Sequence, residues 1–244
     1  MTVFPIQKTP LIIPSCVLWL DANDPANTGA MPANNSAISS WIDKSGQRIS
    51  FDQGTGSKQP TYIRNAVGSN SAVSFDGNND ALSNGSALTS ILSRTGNSTI
   101  CVAFQSALSS GVAGSLVSSY SSSSNRLTLM RSTSNFIGMY KYDGSAYTGA
   151  NTSFTDTSST HVEVGICNAG TLSNYLDNTL SVGTNTSGNT GGTVATTIGA
   201  RTGEAGAFWQ GYIMEVIIYS RVLSSDEQAS ITKYLANKWG ILVF

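Results

Sequence analysis

Apolar segments of only five to seven residues recur along this 244-residue chain, separated by stretches rich in Gly, Asn, Ser and Thr. "CVLWLD", "AVSFD", "TICVAFQ", "RLTLMR", "FIGMYKY", "HVEVGIC" and "VATTIGA" are examples. In "TICVAFQ", Ile100, Val102 and Phe104 fall on one face, the period-two pattern of a half-buried strand. Many short strands at close intervals favour a sandwich or jelly roll over a parallel sheet with helical crossovers. Composition agrees. Charged residues make up 11 % of the chain, against roughly 25 % in an ordinary soluble protein, while hydrophobic content is 40 %. Ser, Thr, Asn and 24 glycines take the place of charge. Their side chains compete for local backbone hydrogen bonds, or in glycine are missing altogether, which suits turns and solvated strand faces better than helices.

The C-terminal stretch breaks the pattern. "GYIMEVIIYSR" is apolar on both faces, as expected of a strand covered on two sides. Within it Glu215 needs a partner, since an unpaired buried carboxylate is costly; Arg201 and Arg221 are the candidates. Then the period changes. Ser224 and Glu227 have capping-box spacing, Ile231, Leu235 and Trp239 lie four residues apart, and Gly240 can end a helix over about 224–239. The chain thus reads as one domain, 15–244, preceded by an extended arm over 1–14 that carries Pro5, Pro10 and Pro14. Asn84-Gly85 and Asp143-Gly144 are tight-turn dipeptides, and 118–125 and 185–192 read as mobile polar loops.

Several classes are disfavoured. Net charge is −1 with no basic run, so nucleic acid is not an expected partner. The apolar runs are too short for a membrane-spanning helix, and the start lacks the pattern of a secretory signal. Cys16, Cys101 and Cys167 lie far apart in apolar segments, which reads as buried thiols rather than a disulfide framework.

Four stretches taken in order carry a resemblance: "VLWLDANDP", "SWIDKSGQ", "AVSFDGNNDAL" and the segment 211–241. With "HVEVGICNAGTLSNYLDNTL", whose paired strands end in a Tyr-x-Asp turn, they resemble the laminin G-like branch of the concanavalin A-like lectin/glucanase superfamily, especially its microbial and phage versions. The resemblance implies an all-β, two-sheet antiparallel jelly-roll sandwich with one C-terminal α-helix. It implies no single activity, because this fold hosts lectins, hydrolases and structural modules.

The residues argue against catalysis. Glycoside hydrolysis needs two carboxyl groups across one cleft at about 5–10 Å. The chain has four glutamates, Glu163, Glu204, Glu215 and Glu227, without the Glu-x-Asp-x-x-Glu signature of the family's glucanases. His161, the one histidine, sits where the laminin G-like pattern often opens a strand, so a structural role is expected. The acidic stretch "FDGNND" begins like an EF-hand with Asp76, Asn78 and Asp80, but Ala81 and Ala87 stand where Gly and Glu are needed. A plain turn is expected; calcium held by Asp76, Asn78 and Asp80 with partners from other loops is the alternative, and no cofactor is otherwise required. For a glycan, Tyr140, Tyr142, Tyr147 and Trp209 are the candidate stacking residues.

The surface composition looks extracellular, yet no export signal is visible. A non-enzymatic structural or decoration protein of a phage particle fits both facts, made in the host cytoplasm and displayed on the virion surface. Its partners would then be other virion proteins reached through residues 1–14, a cell-surface glycan, and further copies of itself. The alternative is a carbohydrate-binding adhesion module of a bacterial surface or secreted assembly.

Overall fold

Alternation of apolar and polar residues makes each short segment pleat with one face toward a core, and sixteen strands result among the described residues. The structure is a computed structural model and describes residues 9–88, 90–93, 96–122, 125–142, 147–183, 195–201 and 206–242. In chain order the first eight strands are β1 (Cys16–Asp21), β2 (Ser40–Ile42), β3 (Ser50–Asp52), β4 (Thr61–Val67), β5 (Asn70–Asp76), β6 (Leu82–Asn84), β7 (Asn97–Ser106) and β8 (Gly114–Ser122). The next are β9 (Asn125–Arg131), β10 (Phe136–Tyr142), β11 (Tyr147–Ser153), β12 (Thr160–Asn168), β13 (Thr171–Leu176), β14 (Thr179–Val182), β15 (Ala195–Ile198) and β16 (Gln210–Tyr219).

They form two antiparallel sheets. The first runs β14, β13, β12, β7, β16, β5, β4, and the second β11, β10, β9, β8, β15, β6, β3, β2. One edge of β16 pairs with β7; the other is shared, with β5 opposite Gln210–Ile213 and β1 opposite Glu215–Tyr219. Inward-facing Ile100, Val102 and Phe104 meet residues such as Leu127, Leu129 and Met139 of the second sheet. Gly165 marks how closely the sheets approach, because a Cβ there would lie 2.7 Å from Leu129 Cδ1. This is the jelly-roll sandwich expected from the sequence.

The helix α1 (Ser225–Trp239) forms where the period changes. Ser224 Oγ accepts from the Glu227 backbone N–H, Glu227 accepts from the Ser224 N–H, and Gly240 closes the helix at φ +66°. Its Ile231, Leu235 and Trp239 are buried against the outer face of the first sheet. Hence the Glu215–Tyr219 half of β16 is covered on both sides, and Glu215 is fully buried.

Glu215 pairs with neither Arg201 nor Arg221. Lys238 Nζ donates to it at 2.8 Å, with Trp19 Nε1 at 2.6 Å, Tyr234 OH at 2.9 Å and Trp239 Nε1 at 2.8 Å. The helix brings Tyr234, Lys238 and Trp239 over the strand and β1 supplies Trp19, whereas Arg221 is taken by Glu227 at 2.6 Å. Lys238 also reaches Asp21 at 2.9 Å, and Asn70 Nδ2 donates to the Lys238 carbonyl near the helix end. The polar residues of "WLDAND" and of the terminal helix therefore form one buried clip. Asp43 of "SWIDKSGQ" does similar work nearby, accepting from Trp19 N, Ser45 N and Gln47 N.

One loop expectation changes. Within 118–125, Ser118 to Ser122 belong to β8 and Asn125 opens β9. Ser118 and Ser119 are small enough to be buried in the ladder opposite Thr128 and Leu127, so polarity did not keep them out of the sheet. Residues 185–192 and the Asp143-Gly144 turn lie outside the described residues. Of the arm, residues 1–8 lie outside the description. The remainder is not an extended strand: Pro10–Ile12 is a 3-10 turn, begun by a proline whose missing N–H costs nothing at that position. Tyr219 OH donates to the Pro10 carbonyl, tying this segment to β16.

One core contact is unbalanced. Glu163 and Asn174 both lie between the sheets, fully buried, and none of their four side-chain oxygens and nitrogens meets hydrogen-bond geometry among the described residues. Burial pushes the Glu163 carboxyl well above its usual range; Asn174 opposes this and Asp177 adds to it. The folded state thus binds a proton that the unfolded chain releases near pH 4.5, so stability falls as pH rises above that value. Glu163→Leu is expected to stabilise by about 1–4 kcal/mol at pH 8 and much less at pH 5. Urea midpoints at the two pH values check it; an equal difference at both contradicts a titrating Glu163.

Candidate functional site

The acidic turn folds on itself. Asp76 Oδ1 accepts from the backbone N–H groups of Asn78, Asn79 and Asp80 at 2.8, 3.1 and 3.3 Å, and Asp80 Oδ2 accepts from Asp76 N at 2.9 Å. Gly77 supplies φ +77°, and its bare Cα leaves room for Gln210, whose Cβ would lie 2.7 Å from a Cβ at 77. Burial tends to raise the Asp76 carboxyl, but the three N–H donors outweigh it and hold the group below its usual range. Asp80 goes the other way: desolvation first, then the Asp76 charge, push it up to about 6. Asn78 is exposed. Among the described residues no group of three or more His, Cys, Asp or Glu side chains is placed to hold a metal ion.

A prediction follows from Asp80. Its folded carboxyl titrates above its unfolded value, so ionisation costs stability that is lost as pH rises from about 4 through about 6. Asp80→Asn keeps an oxygen for Asp76 N and removes the charge. It is expected to stabilise by on the order of 1 kcal/mol at pH 7.5 and not at pH 4. Thermal unfolding at both pH values measures this; equal shifts at both contradict it.

Beside this turn the outer face of the first sheet is left uncovered by α1. A groove of about 410 Å³ lies there, lined among others by Ser74, Asp76, Gln105, Thr157, Gln210 and Tyr212. The lining residues meet because Tyr212 of β16 stands opposite both Ser74 of β5 and Gln105 of β7. Gly211, at φ +127°, permits the close approach, since a Cβ there would come 2.2 Å from the Gln105 carbonyl oxygen. Gln105 Nε2 donates to the Ser158 carbonyl, which fixes the amide at the rim. The groove therefore offers a carboxylate, two amides, hydroxyl groups and one face of a tyrosine, a set that suits a polyhydroxylated ligand.

The expected stacking residues separate. Trp209 is 0 % exposed, edge-on to Phe104 at 5.4 Å between ring centres, and Gly114 gives it room. It is a core residue, not a ligand contact: the short Gly/Ala-rich loop turns its ring inward between the sheets. Tyr140 is also buried in its sheet. Tyr142 and Tyr147 are cross-strand partners on β10 and β11 with ring centres 4.7 Å apart, and Tyr147 is 41 % exposed. Arg126 Nη1 donates to Tyr147 OH at 2.6 Å and its guanidinium lies 5.4 Å from the Tyr142 ring. This pair lies on the second sheet, at the end of β10 away from Trp209. His161 has a structural place, its Nδ1 2.6 Å from Asp177 Oδ2 at the Tyr-x-Asp turn, while Asp177 Oδ1 accepts from Val162 N. Glu204 lies outside the described residues.

A family model described as the concanavalin A-like lectin/glucanases superfamily, of laminin G type, matches residues 76–228, and the chain belongs to that family. A search of curated proteins found no match. Among solved structures the fold is similar to Trypanosoma rangeli sialidase in complex with sialic acid (TM-score 0.63, 13 % identity), with 92 % of this chain aligned to 33 % of that one. It is also similar to domain 4 of the arabinanase AbnA from Geobacillus stearothermophilus in complex with arabinotriose (TM-score 0.61, 12 % identity), over 91 % of this chain and 98 % of that one. The binding domain of botulinum neurotoxin serotype D aligns at TM-score 0.62 and 14 % identity, covering 90 % and 51 %. The chain thus spans a third to a half of the sialidase and neurotoxin chains and nearly all of the arabinanase domain. At these identities the likeness is one of fold.

Proposed function

We propose that the chain is a non-enzymatic glycan-binding module whose site is the groove beside the Asp76 turn. The observation that carries this reading is the groove itself, with Asp76, Gln105, Gln210 and Tyr212 from three strands converging on about 410 Å³. Fold neighbours whose solved forms hold sialic acid or arabinotriose support it. The glutamates within the described residues support a role without catalysis. Glu215 is spent on four donors, Glu227 on Arg221, and Glu163 lies between the sheets.

The setting we infer is a virion surface, of phage type. Free cysteines at 16, 101 and 167 favour synthesis in a reducing compartment, and Leu11 and Ile12, exposed on the 3-10 turn beside α1, offer apolar surface to neighbouring virion proteins. A bacterial or secreted adhesion module is the alternative setting. Mass spectrometry of purified particles separates the two, since absence from every particle removes the first.

For the binding itself, a glycan array run with calcium and with chelator is expected to give discrete hits. Gln210→Ala, an exposed side chain, should weaken them at least roughly tenfold, whereas Tyr147→Ala should not. Loss of binding on Tyr147→Ala instead would move the site to the Tyr142–Tyr147 pair. Loss in chelator would assign calcium to the Asp76 turn, and a blank array would remove the reading.

A further inference from the structure

We infer that the groove selects neutral glycans and disfavours sialylated ones, a conclusion that rests on the groove being the glycan site. None of the described residues that line it is Lys, Arg or His. Among the described lining residues the charged side chain is the carboxylate of Asp76, and Asp80 is buried in the same turn. Asp156 is the chain neighbour of the lining residue Thr157, and its Oδ1 accepts from Ser158 N at 2.7 Å and Ser159 N at 2.9 Å. These backbone donors keep the Asp156 carboxyl well below its usual range, as the turn donors do for Asp76.

The basic group described nearest to Asp156 is His161, 3.6 Å away through Nε2. Its other ring nitrogen, Nδ1, lies 2.6 Å from Asp177, so the imidazole is turned to these two aspartates and does not line the groove. A sialic acid carboxylate entering here would meet the like charge of Asp76 and, among the described lining residues, no cationic donor. A neutral sugar meets what it needs. Asp76 Oδ2 accepts no hydrogen bond among the described residues, and neither the Gln210 amide nor the Tyr212 hydroxyl is engaged there. A carboxylate oxygen can accept from a sugar hydroxyl, the amide can donate and accept, and the tyrosine face can lie against a ring.

The test uses an array of matched glycan pairs that differ only by a terminal sialic acid, probed with the full chain, Asp76→Asn and Gln210→Ala. The neutral member is expected to bind at least roughly tenfold tighter at low salt. Asp76→Asn should narrow that gap several-fold, and so should roughly 0.5 M NaCl, since both weaken the repulsion. Asn at 76 retains an oxygen for the turn donors, and circular dichroism and the unfolding midpoint verify that the variant folds. Preference for the sialylated member, abolished by Gln210→Ala, would overturn the charge inference while leaving the groove as the site. Binding indifferent to Gln210→Ala, or no binding to any pair, would overturn the glycan reading and this inference with it.

Discussion

Glu215→Ala is expected to destabilise the protein by about 3–5 kcal/mol, the cost of removing one partner from a buried, fully bonded charge cluster. The carboxylate is the common acceptor of Trp19, Tyr234, Lys238 and Trp239, which join β1, β16 and α1. Alanine removes the acceptor of two indole N–H groups and a phenol, and leaves Lys238 with Asp21 at 2.9 Å and a long contact to Tyr234 OH at 3.4 Å. In a chain of this size each kcal/mol moves the midpoint by roughly 2–4 °C, so a fall of about 6–20 °C should be measured by calorimetry. Lys238→Met should also destabilise. The double variant Glu215→Leu/Lys238→Met should lose less than the sum of its singles, because neither charge is left buried alone. Additive losses would mean that the pair is not coupled as the geometry requires.

Trp209→Ala should cost a similar amount, about 3–5 kcal/mol, for a different reason: it empties a large volume from the core. The ring packs edge-on to Phe104 and against the space left by Gly114, and among the described residues its N–H has no partner to lose. The loss is therefore almost wholly one of packing. At a temperature where the variant is still folded, glycan binding should remain within about twofold of the parent, since the ring is sealed from solvent. Binding lost with the unfolding midpoint unchanged would contradict the core assignment and restore Trp209 as a ligand residue.

These two residues show where sequence was readable and where it was not. Local signals carried well. The change of period after Tyr219, with Ser224, Glu227 and Gly240 in capping positions, marked α1 and its buried stripe because those interactions span only a few residues. The self-capped Asp76–Asp80 turn was legible for the same reason. The need of Glu215 for a partner was also visible, but not its identity. Lys238, 23 residues further on, meets it only after its helix docks across the sheet. Trp209 misled because small neighbours suggest an open loop, while its direction is set by contacts with β7 and β8. The groove was the least visible feature. Gln105, Gln210 and Tyr212 are unremarked residues near the ends of separate strands, and only the pairing of β16 with both β5 and β7 gathers them around Asp76. Tyr142 and Tyr147 were legible as two of four stacking candidates, and the register of β10 with β11 is what sets them opposite one another.

The groove is the central claim, and NMR tests it most directly. Amide chemical shifts of the labelled chain would be followed while a neutral oligosaccharide, chosen from the array or else arabinotriose, is titrated in. Saturable shifts are expected at Gly77, Gln105, Gly211 and Tyr212 and at the side-chain amide of Gln210. Shifts confined to Tyr142, Tyr147 and Arg126, or none at saturating sugar, would contradict the account.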